Sequence, residues 1–481
     1  VAGRQQGYLV HYIGLKYGVG LFSSHSFIES SLFKNVKGLS STFWTAPGLC
    51  LFHQIIEKTN MRTPKINVIL FGLYAILSIV TFIASLISPP LRQYSYAPLR
   101  ELIFPKPDPI KIDLLYSTEK EQWLSEVIDD FSATNPTVDG RPIEINLTQM
   151  GSREMILSVM DSEQTPTIIS PASSLQTSIF ENLSASKFGR PLIVANDTNS
   201  CQSVVTTPLV LVAWKERANV LWGLNPPNDA WQKLHDAVIN PNGWQAFGKP
   251  EWGYVKFGHT NPLKSNSGFM TLVLMTYDYF DISSNLTSND ILSDREYQEW
   301  LVEIESTISN FGDSTGTYMK DIIVYGPSVY DIVAVYESTA IEQADNALGK
   351  YGELQIYYPP QTILSDHPFC VLDADWVTDS QQKAAKVFIN YLLSTHAQEL
   401  AMMKYGFRPV DPSIALDQPG SPFSIYKTNG LQTDLPAFIE LPEGDVLNTL
   451  LEFWSRNIQN YTFHGEIPCW PKNKFTNFLP F

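Results

Sequence analysis

IKIDLLYSTEKEQWLSEVIDDF, residues 110–131, decides the fold. Ile110 to Leu115 is a short apolar run of strand type, and Ser117-Thr118 then opens a helical pattern that puts Trp123, Val127, Ile128 and Phe131 on one face. The unit recurs. Ile143 to Leu147 reads as a second strand, and Gly151-Ser152 precedes Met155, Ile156, Val159 and Met160 at helical spacing. A third run, Pro166 to Pro171, again ends in small hydroxyl residues before Leu175 and Ile179. Strands alternating with helices predict an α/β class with a parallel sheet covered on both faces.

Further on, Thr207 to Trp214 (TPLVLVAW) is too apolar for an edge strand and leads into new elements around Trp231, Trp244 and Trp252. The first crossing into a second lobe is placed here. Leu354 to Tyr358 and Phe369 to Leu372 read as strands. Gln381 to Tyr405 reads as one long amphipathic helix with Ala384, Ala385, Val387, Phe388, Tyr391 and Leu392 inward. Two crossings give a discontinuous first lobe, 110–206 plus 366–460, and an inserted second lobe, 207–365, with a cleft between them. Residues 1–60 are an extension without sustained periodicity, 61–90 a cytoplasmic start with an apolar span, 91–109 a Pro-rich linker and 461–481 a tail. Met61-Arg62-Thr63-Pro64-Lys65 reads like the start of a signal-anchor protein, with Met61 as initiator.

From Ile66 to Ile87 there are 22 residues without a charge, about 33 Å of helix against a hydrocarbon core of about 30 Å. A buried core helix is the alternative, but the run lacks a polar stripe. Arg62 and Lys65 just before it put everything after Arg92 on the outer side of the membrane. No small-x-small cleavage site follows cleanly, so a retained single-pass anchor in the plasma (inner) membrane is expected, with the C-terminal part extracytoplasmic.

The 481 residues carry 49 acidic against 33 basic side chains, a formal charge of -16, which argues against nucleic-acid binding. Residues 1–90 hold 7 Lys/Arg and 2 Asp/Glu, so the remainder carries -21. Cys50, Cys201, Cys370 and Cys469 form no CxxC pair, and neither a disulfide framework nor a zinc site can be read from them. His259 and His367 lie far apart, and HExxH and calcium-loop patterns are lacking, so no metal or other cofactor is expected. Ser184-Ala185-Ser186-Lys187 matches S-x-x-K without its K-T-G companion. Nothing assembles a nucleophile, a base and an oxyanion pocket, and no enzyme is expected.

Ser117-Thr118, Gly151-Ser152 and Ser265-Asn266-Ser267-Gly268 each set small donors at a helix start, where free amides and the helix dipole favour an anion. Ordinary N-capping would satisfy the same amides. Tyr336-Glu337, after a run (Asp331–Val335) that ends a helix-like stretch, puts an aromatic hydroxyl beside a carboxylate and could line a cleft.

Several segments in order are similar to one family: Pro166–Ser174 (PTIISPASS), Thr207–Glu216 (TPLVLVAWKE), Pro250–Gly268 (PEWGYVKFGHTNPLKSNSG), Gly326–Thr339 (GPSVYDIVAVYEST), Tyr358–Trp376 (YPPQTILSDHPFCVLDADW) and Ala384–Pro409, ending KYGFRP. They resemble the bacterial extracellular solute-binding proteins of periplasmic binding protein type II fold, particularly the branch often fused to a von Willebrand A domain. No D-x-S-x-S motif of that domain is present, so its adhesion is not implied. The resemblance implies a two-lobed protein, here preceded by one transmembrane helix, that closes on a small anion or polar solute held by neutral donors. It also implies partnership with an ABC permease. A structural or sensory envelope subunit without transport is the alternative. Carried over by position, the cleft is lined by Ser117, Thr118, Gly151, Ser152, Ser170 and Ser173 from the first lobe, and by Ser265, Asn266, Ser267 and Tyr336 from the second.

Overall fold

The computed structural model describes residues 64–87, 107–223 and 228–459. The expected extension 1–60, the tail 461–481 and all but the last three residues of the linker 91–109 lie outside them. The chain divides into two units, Val1–Pro105 and Lys106–Phe481.

In the first unit, helix α1 (Pro64–Ile87) forms over 24 residues. Its large apolar side chains point outward, among them Val68, Phe71 and Ile76. Among the described residues no helix is long and apolar enough to cross a membrane. In α1 the side chains are described from 68 to 84, about 25 Å of helix against the about 30 Å of a hydrocarbon core.

The second unit runs β1 (Ile110–Ser117), α2 (Glu121–Ala133), β2 (Thr137–Val138), β3 (Arg141–Met150), α3 (Ser152–Met160), β4 (Ile168–Ser170), α4 (Ser174–Phe188), β5 (Cys201–Ser203), β6 (Val205–Trp214), α5 (Lys215–Leu221), α6 (Ala230–Val238) and β7 (Phe257–Gly258). It continues with α7 (Asn266–Phe280), α8 (Ser288–Ser293), α9 (Arg295–Ser306), α10 (Thr315–Tyr325), β8 (Ile332–Tyr336), α11 (Glu337–Leu348), β9 (Leu354–Tyr357), β10 (Gln361–Thr362), β11 (Leu364–Ser365) and β12 (Pro368–Val371). The last elements are α12 (Asp379–Leu392), α13 (Thr395–Tyr405), β13 (Arg408–Pro409), α14 (Pro422–Ile425), β14 (Ala437–Phe438) and α15 (Gly444–Trp454).

The period-2 alternation of a strand explains the layers. In β1, Ile110, Ile112, Leu114 and Tyr116 face a core with Trp123, Val127, Phe388 and Leu392, while Leu115 faces Met155, Ile156, Val159 and Phe180 on the other side. The first sheet has the order β2-β3-β1-β4-β12-β5, with β3, β1 and β4 parallel. In the second sheet β6 is central, flanked by β8, β9, β11 and β13, with β7 beyond β8. Leu209, Leu211 and Ala213 face α7, and Val210, Val212 and Trp214 face α10 and α11. The chain leaves the first sheet after Ser203 and returns after Ser365. Cys201 of β5 and Cys370 of β12, register partners flanking the two crossings and 169 positions apart, form a disulfide that closes a loop containing most of the second sheet.

Three sequence readings are corrected. Gln381–Tyr405 is two helices, α12 and α13, because Ser394 caps a new start and accepts a hydrogen bond from the Ala397 amide; Val387 is exposed rather than inward. Asp331–Val335 does not end a helix; it leads into and forms most of β8, whose side chains are all buried. The sequence places 410–460 in the first lobe, but Phe423 and Leu431 pack on the second sheet, and α15 lays Val446, Leu447, Leu450, Leu451 and Trp454 into the core with α7 and α9. An apolar stripe gains by covering whichever face is open, whatever its place in the chain.

Asp278, near the C-terminal end of α7, has its pKa raised to about 6 by burial and by Asp281 and Asp229. The folded chain therefore binds a proton between about 4 and 6 that the unfolded chain releases, and the cost of ionising it is fully present above pH 6. Asp278→Asn should gain about 1 to 2 kcal/mol at pH 7, about a third of that at pH 4.5 and nothing at about pH 3, in urea unfolding across the pH values.

Candidate functional site

Where the ends of β1, β4 and β8 meet the start of α7, the structure brings together side chains from both sheets. Ser173, just before α4, donates to Asn266 Oδ1 at 3.0 Å, and Gln176 Nε2 reaches the same oxygen at 3.1 Å. Asn266 passes the contact on, donating Nδ2 to the Tyr336 hydroxyl at 2.9 Å. Burial first, then nearby Glu119, pushes the Tyr336 phenol far up, so it stays protonated. Ser265 and Ser267 lie beside Thr315 at 3.3 and 2.7 Å. All ten residues expected from the sequence are buried.

Their hydrogen bonds differ from the expected pattern of donors waiting for a ligand. Ser152 Oγ accepts from the Ala172 amide at 3.0 Å, bracing the turn after β4. At the start of α3, the Arg153 amide donates to the Lys264 carbonyl at 3.2 Å. At the start of α10, the Gly316 amide donates to Thr118 Oγ1 at 3.3 Å. Helix amides beside one sheet thus end on oxygens beside the other. Gly151 and Gly316 permit this approach. A Cβ at Gly151 would sit 2.7 Å from the Lys264 carbonyl oxygen, and one at Gly316 would sit 2.9 Å from the carbonyl carbon and oxygen of Thr118. At the rim, Glu121 of α2 pairs with Lys320 of α10 at 2.8 Å.

Sequence reasoning missed the charges on the floor. Glu119 and Lys120, in the 3-10 turn after β1, are buried, with side-chain exposures of 2% and 0%. As charges in a helix's opening turn they read as solvated, and no local signal marked them. Lys120 Nζ donates to Ser117 Oγ, to the Pro171 carbonyl at 3.2 Å and toward His367 Nδ1 at 3.3 Å. Burial lowers its pKa to about 8 while Glu119 opposes the shift, so the ammonium remains the main form at pH 7. An ammonium can only donate, so His367 Nδ1 accepts and Nε2 carries the ring hydrogen. Burial, then Lys120, lowers the His367 pKa well below its usual value, which keeps the ring neutral. His367 Nε2 and Ser170 Oγ are buried without a hydrogen-bond partner. His367 also adopts a φ of 40° at the return crossing, a left-handed conformation that a residue with a Cβ enters only at a cost.

Of the other sequence candidates, Glu337 is buried in an ion pair with Arg408. Ser184 donates to the Glu181 carbonyl and accepts from the Leu192 amide, while Lys187 lies over the Phe188 ring. His259 bridges the Thr260 carbonyl and Glu305, at 2.8 Å each. Among the described residues no group of three His, Cys, Asp or Glu side chains is placed to hold a metal.

The family model described as bacterial extracellular solute-binding protein matches residues 112–408. No curated protein sequence matches the chain. Among solved structures, the chain is similar to the sulfate-binding protein SubI from Mycobacterium tuberculosis H37Rv (17% identity, TM-score 0.45, covering 68% of this chain and 93% of that one). It is also similar to a ferric binding protein from Campylobacter jejuni (15%, 0.47, 73% and 99%). A third is the substrate binding protein of an ABC transporter from Agrobacterium tumefaciens (13%, 0.48, 74% and 96%).

Proposed function

Because this chain belongs to the bacterial extracellular solute-binding protein family, we propose that it is the solute receptor of an ABC-type importer, closing its two lobes on a small polar solute outside the cytoplasm. The observation that carries this is Asn266, which takes hydrogen bonds from Ser173 and Gln176 of one lobe and gives one to Tyr336 of the other. One buried amide linking both walls suits a cleft in its shut state. The Cys201–Cys370 disulfide suits an oxidising, extracytoplasmic setting. We assign no catalysis to the cleft.

Anchoring belongs to the same proposal. At about 1.5 Å per residue, the 24 residues of α1 reach about 36 Å. The Thr81 hydroxyl bonds back to the Leu77 carbonyl at 2.9 Å, so it needs no water. We read α1 as a retained span with the second unit on the outer side.

A second reading, an envelope subunit that keeps the fold without transport, is favoured by the amides of Arg153 and Gly316, which already end on the opposite lobe. The test uses the full chain in nanodiscs, with lobe distance followed by paired fluorophores and melting followed by scanning calorimetry across a solute panel. The receptor reading expects one solute class to raise the melting temperature and hold the lobes shut; driving a hinge from 1:99 to 99:1 takes about 5.5 kcal/mol of differential affinity. No effect from any solute, together with co-purification of an integral partner lacking ATPase subunits, would favour the second reading.

A further inference from the structure

The floor of the cleft holds one fixed negative charge, Glu119, and one fixed positive charge, Lys120, with their side chains 2% and 0% exposed and 3.6 Å apart. The third ionisable group there, His367, is neutral by its hydrogen bonding, because its Nδ1 faces the Lys120 ammonium at 3.3 Å. Glu121 and Lys320, on the rim, form their own pair and are partly exposed. Asp366, whose charge also acts on Lys120, is partly exposed and already accepts from the Ser174 amide and the Ser203 hydroxyl. The two charges buried on the floor therefore cancel. Burying an ion there costs several kcal/mol unless a partner of opposite sign repays it.

Lys120 has little to give an incoming anion. Its three N–H donors are directed at Ser117, Pro171 and His367. The Glu119 contacts with Ser117, Lys120 and His367 all run through Oε1, which leaves Oε2 for a further donor. Ser170 Oγ and His367 Nε2 are fully buried, unpartnered and able to donate, and Gln176 Oε1, beside Asn266, is a buried acceptor without a partner. The site thus offers a solute one carboxylate oxygen, one amide oxygen and two neutral donors. A sulfate-like oxyanion would lie beside Glu119 with no free cation; a diamine would lie beside Lys120 with only one carboxylate.

We propose that the cleft selects a small polar solute that is electrically neutral overall, zwitterionic or polyhydroxylated, and rejects inorganic oxyanions and simple cations, with Glu119 and Lys120 together setting that preference. The inference rests on the solute-receptor reading and narrows the expected small anion or polar solute to a net-neutral one. The charged pair shapes selection by cancelling itself.

The test is isothermal titration of the full chain in nanodiscs with sulfate, molybdate and phosphate, with putrescine, and with a neutral set of amino acids, glycine betaine and monosaccharides. Wild type should bind a member of the neutral set at least tenfold more tightly than any ion. Glu119→Gln should leave a net positive floor and raise oxyanion affinity at least tenfold; Lys120→Met should do the same for putrescine. The double variant Glu119→Gln/Lys120→Met, uncharged and not requiring either single variant to fold, should again prefer the neutral set. Wild-type binding of an oxyanion or of putrescine as tightly as any neutral solute, or single variants with unchanged preference, would overturn the proposal and leave the receptor reading standing. Failure of every probe to bind, with the lobes unmoved, would overturn both.

Discussion

Replacing Arg408 by methionine should cost about 3 to 5 kcal/mol of stability, as expected when a buried charge loses its partner. Arg408 Nε and Nη2 donate to the two carboxylate oxygens of Glu337 at 2.8 and 2.7 Å. The guanidinium also donates to the Gln432 and Thr433 carbonyls, and Tyr358 donates its hydroxyl to Glu337. Glu337 is the first residue of α11, where the helix dipole favours its charge. Arg408 stands in β13, which pairs with Val205 and Thr206 of β6 immediately after the crossing between sheets. The pair thus pins the returning chain to the second sheet at the crossing between the two sheets. Urea unfolding would read the loss, and the double variant Arg408→Met/Glu337→Leu should recover much of it, since no charge is then stranded. A loss below about 1 kcal/mol for the single variant would show that the pair does not hold this junction.

Gly316→Val should abolish closure while leaving both lobes folded. The glycine is not needed for its own conformation, because it sits inside the first turn of α10, and a side chain there costs the helix little. What a Cβ meets is the other lobe: the Thr118 carbonyl carbon and oxygen at 2.9 Å and the Glu119 amide at 3.0 Å, all backbone atoms that cannot rotate away. An open cleft has no such collision. The expected result is a melting temperature within a few degrees of wild type in the absence of solute, a larger radius of gyration by small-angle scattering, and solute affinity reduced at least 100-fold, about 2.7 kcal/mol. Wild-type scattering and affinity in the variant would mean that α10 and the Ser117–Lys120 turn do not come together in solution.

Much of the first sheet was legible. The strand readings at Ile110–Leu115, Ile143–Leu147 and Pro166–Pro171 fall on β1, β3 and β4, since an apolar run followed by a hydroxyl cap and a 3.6-residue stripe admits few other folds. Ser117-Thr118, Gly151-Ser152 and Ser265-Asn266-Ser267 read as helix starts because capping chemistry is local, whereas Ser170 and Ser173 enter as cleft residues only through the resemblance, and Tyr336 through it and its hydroxyl beside a carboxylate. Their partners were not legible. Nothing near Thr118 announces Gly316, and nothing near Arg153 announces the Lys264 carbonyl. Glu119 and Lys120 read as surface charges because sequence carries no sign of the lobe that covers them.

Misreadings followed the same line. Gln381–Tyr405 kept one helical period across Ser394, whose side chain capped a second start instead of continuing the first. Position in the chain places Val446 to Trp454 with the first lobe, but its apolar stripe covers the open face beside α7 and α9.

The sequence by itself determined the strand-helix alternation, the apolar helix near the start and the family, for these depend on residues close together in the chain. Only the tertiary structure decided that Cys201 bonds Cys370, that helix amides beside one sheet end on oxygens beside the other, and that a carboxylate and an ammonium share the cleft floor. Those contacts join residues as many as 198 positions apart, as for Thr118 and Gly316, and their energies depend on burial, which a linear chain does not carry.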